Sequence, residues 1–241
     1  MKVKNYIDGR FVESSTGDYF DIHNPATGEV IGQTPLSTSS ELSTAVAAAK
    51  KAFASWSKTP AIDRVQPLFR LKHLLEQNSD KISEILVREH GKTFKEAKGD
   101  LLRGIQMCEV ACGIPSLSMG KFQNRVASGI DSYSLRRPLG VFAGINPFNF
   151  PAMVPFWFWP FAVATGNTYI MKPSERVPMT QEFIFGLIDQ CGFPPGVINM
   201  VNGGKEIVNG ITGNPDICGV NFVGSTKIAK LVYDDSIRHG K

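Results

Sequence analysis

The sequence LGVFAGINPFNFPAMVPFWFWPFAVATGNTYIMKPSE, which runs from Leu139 to Glu175, decides the fold that we expect for this chain. A short apolar run ends at Ile145, prolines and an aromatic segment follow, and a second apolar run ends at Lys172. This pattern predicts a strand, a helix and a second strand joined by turns. Parallel strands need such a crossover, so the stretch is predicted to be one βαβ unit.

The two turns of this unit should lie side by side. Residues 146–149 and 172–176 each follow a predicted strand directly. Ligands in open α/β sheets bind beyond the carboxyl ends of the parallel strands. We therefore expect both segments to lie on one rim of the sheet and to form part of a ligand site.

The chain beyond this unit continues to alternate. Strands are predicted at Leu139–Ile145, Thr168–Lys172, Val197–Val201 and Gly219–Val223. Helices are predicted to begin near Pro151, Pro178, Lys205 and Ser225. This alternation is typical of an α/β fold with a Rossmann-like, doubly wound parallel sheet.

The N-terminal part has hairpin and helix signals. Turn residues at 8–9 and 24–28 predict two small hairpins before residue 35, which should form an edge or a clasp. Capping boxes that start at Thr38 and Thr93 predict two long helices.

A further helix is predicted over residues 61–78, with a kink at Pro67. Ser79 is expected to cap the next helix, which should end at Gly91. Five apolar residues of the kinked helix are candidates for burial: Ile62, Val65, Leu68, Phe69 and Leu75.

Residues 128–137 alternate in a way that predicts an extended two-stranded arm ending at Pro138. The pattern leaves open whether the arm is a surface hairpin or a subunit contact. We divide the chain into residues 1–120, which pack on the core, an arm at 121–138, and a Rossmann-like core at 139–241.

Composition excludes several classes of function. The net charge of +4 is modest and the basic residues are scattered, which disfavours nucleic acid as a partner. No signal peptide is visible, and the most apolar window is short and contains prolines, so we expect no membrane segment. Four cysteines are too few for a disulfide framework, and a reducing, cytoplasmic setting fits best.

The predicted turns carry three side chains suited to ligand chemistry. Glu175 could accept two hydrogen bonds from a ribose diol, with Lys172 as a second hook, although a solvated Lys–Glu pair is the simpler interpretation. A carboxylate there would favour NAD over NADP, a preference that Lys172 and Arg176 could soften. Ser225 starts a helix after a glycine, where a phosphate could bind, but such turns are also common without ligands.

Asn149 could donate a hydrogen bond to a developing oxyanion, an interaction worth about 3 kcal/mol. The more frequent use of such an asparagine is to stabilise its own turn. The cysteines Cys108, Cys112, Cys191 and Cys218 are each interpreted as small packed hydrophobic residues. Neither they nor the histidines form a sequence-local ligand cluster, so no metal site is predicted.

Five motifs carry a resemblance to a known family. They are residues 24–28 (NPATG), 147–151 (PFNFP), 166–175 (GNTYIMKPSE), 192–196 (GFPPG) and 222–225 (FVGS). The chain resembles the N-terminal, NAD-binding half of an aldehyde dehydrogenase. Residues 100–106 (DLLRGIQ), 172–178 (KPSERVP) and 238–241 (RHGK) are similar to the CoA-acylating methylmalonate-semialdehyde dehydrogenase branch.

The resemblance implies NAD, a semialdehyde that bears a carboxylate, a thiohemiacetal on a cysteine, and coenzyme A as acyl acceptor. It would place Asn146 and Phe148 on the nicotinamide side of NAD, and Ser225 at the pyrophosphate. Three residues would lie on the adenosine side: Lys172, Glu175 and Arg176. Asn149 would stabilise the oxyanion, and Arg103 could pair with the substrate carboxylate.

In the family, the catalytic cysteine belongs to a second domain, and this sequence ends at Lys241 before it. We therefore expect these residues alone not to turn over aldehyde. The family's arm mediates oligomerisation, which implies a homo-oligomer, a dimer or a tetramer. Two alternatives stay open: a general hydrolytic aldehyde dehydrogenase, and a non-catalytic module for dinucleotide binding or assembly.

Overall fold

A six-stranded sheet forms the centre of the computed structural model, which describes residues 1–241. The strands are β1 (Asn5–Ile7), β2 (Arg10–Val12), β3 (Tyr19–His23), β4 (Val30–Pro35), β5 (Phe122–Ala127), β6 (Ile130–Tyr133), β7 (Val141–Ile145), β8 (Thr168–Lys172), β9 (Ile198–Met200) and β10 (Ile217–Phe222). The helices are α1 (Ser39–Trp56), α2 (Ala61–Arg64), α3 (Gln66–Gln77), α4 (Ser79–His90), α5 (Phe94–Cys112), α6 (Ile114–Leu117), α7 (Trp159–Ala164), α8 (Met179–Ile188), α9 (Lys205–Gly213) and α10 (Thr226–Arg238). None of them combines the length and apolar character that crossing a bilayer would require.

The central sheet confirms the predicted α/β fold. Its strand order is β10-β7-β8-β9-β1-β2, and β10, β7, β8 and β9 run parallel. β1 pairs with β9 in the antiparallel direction, so the first predicted hairpin extends one edge of the sheet. β8 has the predicted bounds, and the other three core strands begin or end within two residues of the predicted positions.

The strand order reverses beside β7. The chain passes from β7 to β8 and β9 toward one edge of the sheet, and then returns to place β10 on the opposite side of β7. Ligands in open α/β sheets bind at the carboxyl ends of the strands at such a point. The ends of β7 and β10, at Ile145 and Phe222, therefore mark the expected position of a ligand.

Helices cover both faces of the sheet. Tyr169 and Met171 of β8 lie in the larger core, with residues of α3, α4, α5, α7 and α8. Ile170, between them, lies in a second core with residues of α1, α9 and α10. Successive strand residues point to opposite faces, so β8 is buried on both sides, as parallel strands usually are.

Helix ends follow the predicted signals in most cases. The carboxylate of Glu41 accepts a hydrogen bond from the Thr38 amide at 2.9 Å, and that of Glu96 accepts one from the Thr93 amide at 3.0 Å. Both predicted capping boxes are therefore confirmed. Gly91 ends α4 with a φ of 81°, a left-handed conformation that favours glycine.

Ser79 does not cap α4, contrary to the prediction. Asn78 occupies the N-cap position, and Ser79 is the first residue of the helix. Its carbonyl accepts a hydrogen bond from the Ser83 hydroxyl at 2.7 Å.

The helix predicted over 61–78 is divided in two. α2 ends at Arg64, and α3 begins at Gln66 with Pro67 in its first turn. Backbone N–H groups in the first turn of a helix have no partner within the helix, so the missing N–H of Pro67 costs nothing there. Pro67 therefore starts a helix instead of kinking one.

The division also changes which side chains are buried. Val65, Leu68 and Leu75 are fully buried as predicted, but Ile62 and Phe69 are 59% and 50% exposed. Phe69 lies about 100° around the helix from Leu68, outside the buried stripe.

The arm is a hairpin formed by β5 and β6, every residue of which is exposed. Its first strand lies earlier than the predicted 128–137 stretch, because Ser128 and Gly129 form the turn between the strands. Gly129 has a φ of 74°, which permits this turn without strain.

Gly144 provides a test of how tightly β7 packs. The ring of Tyr169 crosses β7 at this residue, and a Cβ built on Gly144 would collide with the tyrosine hydroxyl. We expect Gly144→Ala to lower the free energy of unfolding by about 1–3 kcal/mol, the usual cost of overpacking. Gly186→Ala in α8, where a Cβ meets nothing within 4 Å, should instead be stabilising by about 0.5–1 kcal/mol. Urea denaturation measures both, and equal effects would contradict this description.

Glu89 fixes the first turn of α8. Its carboxylate accepts hydrogen bonds from the amides of Met179 at 2.7 Å and Thr180 at 2.9 Å, and the residue is 3% exposed. Burial raises its pKa from 4.5 to about 7, although the amide donors oppose this shift.

This raised pKa predicts that stability falls as pH rises between about 4.5 and about 7. In that range the unfolded state has lost the Glu89 proton and the folded state keeps it, so deprotonation favours unfolding. Between pH 5 and 7 we expect the wild type to lose about 2 kcal/mol more than Glu89→Gln. Urea denaturation at several pH values measures the difference, and the exposed Glu84→Gln is the control. Equal pH dependence of wild type and Glu89→Gln would contradict the prediction.

Candidate functional site

The turns that follow β7 and β8 lie side by side, as predicted. The backbone amide of Asn146 donates to the carbonyl of Lys172 at 3.0 Å, and its side-chain Nδ2 lies 3.3 Å from the same oxygen. The Asn146 side chain is directed inward and is 6% exposed. Any contact that Asn146 makes with a ligand at the rim must therefore come mainly from its backbone.

Lys172 and Glu175 form a partly buried pair and not the solvated pair that was the simpler alternative. The Lys172 ammonium lies 3.2 Å from the Glu175 carboxylate and donates to the Pro173 carbonyl at 2.9 Å. The Lys172 side chain is 4% exposed, whereas that of Glu175 is 34% exposed. Burial lowers the pKa of Lys172, and Glu175 opposes this effect. The carboxylate thus keeps an open side for a ligand.

Other contacts hold this turn in place. The hydroxyl of Thr34 in β4 donates to the Glu175 carbonyl at 2.8 Å. The guanidinium of Arg176 lies 5.6 Å from the centre of the Phe148 ring, a cation–π distance that joins the two turns at the surface. The second N-terminal hairpin and the turn after β7 therefore both support the position of Glu175.

Asn149 is exposed, and its side-chain amide makes no hydrogen bond to its own turn. Its backbone carbonyl accepts a hydrogen bond from Lys92 at 3.1 Å. This arrangement does not match the alternative in which the side chain stabilises the turn. The amide is free to donate to a group outside the chain.

Ser225 occupies the N-cap position of α10 and is exposed. Its side chain does not cap the helix, so its hydroxyl remains available. The first amides of a helix have no partner within it and attract anions. This end of α10 follows β10 directly, beside the point where the strand order reverses.

Arg103 is exposed on α5, and its guanidinium donates to Gln106 of the same helix at 3.0 Å. The next residue, Gly104, packs closely on the segment after the Asn149 turn: a Cβ built there would lie 2.8 Å from the Ala152 carbonyl. α5 therefore passes beside the segment that follows this turn, with Arg103 exposed at the residue before the contact.

A groove between α9 and α10 was missed by the sequence analysis. It has a volume of ≈ 790 Å³, and its apolar lining comes from Val208, Ile228, Leu231 and Val232. Lys205 and Ile228 lie in the first turns of their helices, so one end of the groove opens at the rim. The sequence did contain a signal for this groove. Ile228 and Leu231 are apolar residues of α10 in addition to those needed for one buried face, so they could have indicated a second apolar surface on this helix.

Cys218 is exposed, contrary to the prediction that all four cysteines are packed. It lies where the pairing of β10 with β7 shifts register. At this irregularity Cys218 has no paired residue on β7, and it is exposed. Cys108, Cys112 and Cys191 are buried, as predicted. The thiols of Cys108, Cys191 and Cys218 lie against the carbonyls of Leu68, Leu187 and Leu139.

Comparison with known proteins identifies the family to which this chain belongs. The chain is 46% identical over 239 residues to malonate-semialdehyde dehydrogenase 1 of Geobacillus kaustophilus, covering 99% of this chain and 49% of the relative. It is also 46% identical over 240 residues to malonate-semialdehyde dehydrogenase of Bacillus cereus strain B4264, covering 100% of this chain and 49% of the relative. The chain thus spans about half the length of these curated relatives.

Solved structures give the same result. The crystal structure of methylmalonate-semialdehyde dehydrogenase from Oceanimonas doudoroffii is 42% identical with a TM-score of 0.97, over 100% of this chain and 49% of that one. A similar structure from Sinorhizobium meliloti 1021, described as a methylmalonate-semialdehyde dehydrogenase complexed with NAD, is 43% identical with a TM-score of 0.97 over the same shares. The model of the aldehyde dehydrogenase family matches residues 11–241. This chain therefore belongs to the aldehyde dehydrogenase family.

Proposed function

We propose that this chain is the NAD-binding half of a CoA-acylating semialdehyde dehydrogenase that oxidises methylmalonate or malonate semialdehyde. The observation that carries this proposal is that the open carboxylate of Glu175 lies on the same rim of the sheet as the free N-terminus of α10 and the end of an apolar groove. These three features suit the ribose, the pyrophosphate and the adenine of a dinucleotide. The names of the similar proteins support the semialdehyde dehydrogenase part of this proposal.

The residues present fit NAD in a definite order along the rim. The adenine ring would occupy the rim end of the groove near Ile228 and Leu231, and Glu175 would accept the diol hydrogen bonds of its ribose. Ser225 and the first amides of α10 would bind the pyrophosphate. Asn146, through its backbone, and Phe148 would line the nicotinamide side. NAD would supply the hydride acceptor for the oxidation.

The structure around Lys172 favours NAD over NADP. A 2′-phosphate would meet the Glu175 carboxylate, and the Lys172 ammonium is already bonded to that carboxylate and to Pro173. Lys172 is therefore poorly placed to soften this preference, and it would act mainly by positioning Glu175 for the ribose diol. Arg176 remains exposed and is the one residue of this turn that could soften the preference.

On the reacting side, Asn149 would donate to the oxygen that becomes negative when a thiol attacks the aldehyde. A positioned donor of this kind is worth about 3 kcal/mol in the transition state. The nucleophile of the family is a cysteine of a second domain, and the acyl group would pass from its thioester to coenzyme A. Arg103 would pair with the substrate carboxylate, a task suited to the planar guanidinium.

We also propose that the arm at 121–138 contacts another subunit of a homo-oligomer. Both of its strands are exposed throughout, and Phe122, Ile130 and Tyr133 are more than half exposed. An isolated two-stranded hairpin is only marginally stable in water, so this arm is expected to gain its order from a partner.

A general hydrolytic aldehyde dehydrogenase is the second candidate. The observation that favours it is the similarity of the fold to a Pseudomonas syringae aldehyde dehydrogenase complexed with NAD+ and octanal, at 30% identity and a TM-score of 0.92. A rate of semialdehyde oxidation that does not change when coenzyme A is added would select this candidate. A non-catalytic dinucleotide-binding module would bind NAD and show no turnover in any assembled form.

Substitution of Glu175 tests the ribose contact. We expect Glu175→Ala to weaken NAD binding by about 10–100-fold, because charged hydrogen bonds to the ribose are lost. Calorimetric titration of the 241-residue chain with NAD measures the affinity. Glu84→Ala is a matched control, since Lys81–Glu84 is a pair of the same spacing on the surface of α4. Unchanged affinity in Glu175→Ala would exclude the assigned role.

Substitution of Arg103 tests the substrate class. In an enzyme that joins this chain to its catalytic half, Arg103→Met should raise KM for methylmalonate semialdehyde by about 10–100-fold, since a charged contact is lost. Propanal, which lacks the carboxylate, serves as the control substrate, and its kcat/KM should change less than threefold or so. Steady-state kinetics on both aldehydes measure the contrast, and equal losses would show that Arg103 does not select the carboxylate.

A further inference from the structure

The turn that carries Asn149 is held from inside by two nearly buried side chains. Nζ of Lys92 donates to the Asn149 carbonyl at 3.1 Å, and Nε2 of Gln181 donates to the Pro151 carbonyl at 2.6 Å. The Lys92 side chain is 8% exposed, and Gln181 is 1% exposed. Both carbonyl groups are therefore directed into the protein.

The charge on Lys92 is balanced by a fully buried carboxylate. Nζ of Lys92 lies 2.6 Å from Oδ2 of Asp100, whose side chain has no exposed surface. The backbone amide of Met153, in the segment after the Asn149 turn, also faces the Asp100 carboxylate and favours its charged form. A buried ion pair contributes little net stability, because the cost of desolvating both charges offsets their attraction. Stability alone does not explain why the pair is here.

Lys92 contacts the turn at more than one residue. Its ammonium also lies 4.7 Å from the centre of the Phe150 ring, so it contacts two successive residues of the turn. His90 is adjacent, but burial and the charge of Lys92 lower its pKa. His90 also lies against the Asn149 backbone, but with this lowered pKa it does not supply a second cation there near pH 7.

We propose that Lys92, held by Asp100, is a positioning residue that fixes the turn so that the Asn149 amide faces the reacting oxygen. The assignment of Asn149 to that oxygen rests on the proposed function. Lys92 does not touch substrate and acts through the Asn149 backbone. A donor aimed at a developing charge must be fixed before the reaction, and a charged hydrogen bond to the backbone fixes it without using the donor itself.

Hydrogen exchange of the 241-residue chain tests, without any assay of activity, whether Lys92 holds the Asn149 turn in place. In Lys92→Met, we expect peptides covering 146–153 to exchange about tenfold faster, because a charged hydrogen bond to the turn is lost. Exchange in the C-terminal half of α5, away from Asp100, should change much less than exchange over 146–153. Lys92→Arg should restore most of the protection, since it keeps the charge and the donors.

Lys98→Met is the matched control. Lys98 also pairs with a carboxylate, Asp80, and also lies near an aromatic ring, at 5.4 Å from Phe94, but it does not contact the turn. Asp100→Asn is a second variant for use if Lys92→Met fails to fold, and it should loosen the same peptides to a smaller extent. Unchanged exchange over 146–153 in Lys92→Met or Asp100→Asn would overturn the proposal.

A double-mutant cycle tests the link to Asn149 in an enzyme that joins this chain to its catalytic half. Lys92→Met should lower kcat by about 10–100-fold, part of the loss expected from removing an oxyanion donor. KM for NAD should stay within about twofold, because the ribose contact is intact. In an Asn149→Ala background, Lys92→Met should have no further effect on kcat, whereas multiplicative losses would overturn the proposal. Failure of the wild-type chain to bind NAD would reject the proposed function, and the exchange result would still decide whether Lys92 holds the turn.

Discussion

The hydrogen bond from the Asn146 amide to the Lys172 carbonyl is the contact on which the rest of the rim depends. It continues the β7–β8 pairing by one residue beyond Ile145, so the two turns start at a fixed separation. Glu175 and Asn149 each lie three residues beyond this bond on their own turns. The separation of Glu175 and Asn149, which we propose as ribose contact and oxyanion donor, therefore starts from sheet geometry, and contacts within each turn complete it.

Several charged side chains near this rim are buried. Lys172, Glu89 and Asp100 are each 3% exposed, and burial displaces the pKa of all three toward the neutral form. Lys172 and Glu89 bond to backbone groups of the turn after β8 or of the helix that follows it, and Asp100 holds the lysine that bonds the turn after β7. Perturbed groups that collect around a cleft are typical of functional sites. Here they fix main-chain positions, which leaves exposed residues free to meet a ligand.

The sequence was informative where short-range rules apply. Strand ends, capping boxes and the adjacency of the two turns follow from local patterns and from the geometry of a βαβ unit. The division at Val65 was missed because Pro67 is compatible with a kink or with a new first turn, and only packing decides. The groove between α9 and α10 depends on how two helices cross the same face of the sheet, a long-range relation that periodicity does not encode. The Lys92–Asp100 pair was missed for a similar reason, since its third partner, Asn149, lies 57 residues from Lys92 in the sequence.

The close contact of Gly104 with Ala152 has a consequence for substrate length. Because no Cβ separates α5 from the segment after the Asn149 turn, the two backbones approach as nearly as sterics allow, and their separation has little freedom to change. If Arg103 and Asn149 have the proposed roles, this separation limits the length of the substrate. It sets how many carbon atoms can lie between the carboxylate and the aldehyde of a substrate that reaches both groups. A larger residue at 104 would move α5 away from this segment. Under the proposed roles, a glycine that does not touch the substrate would then set the preferred substrate length.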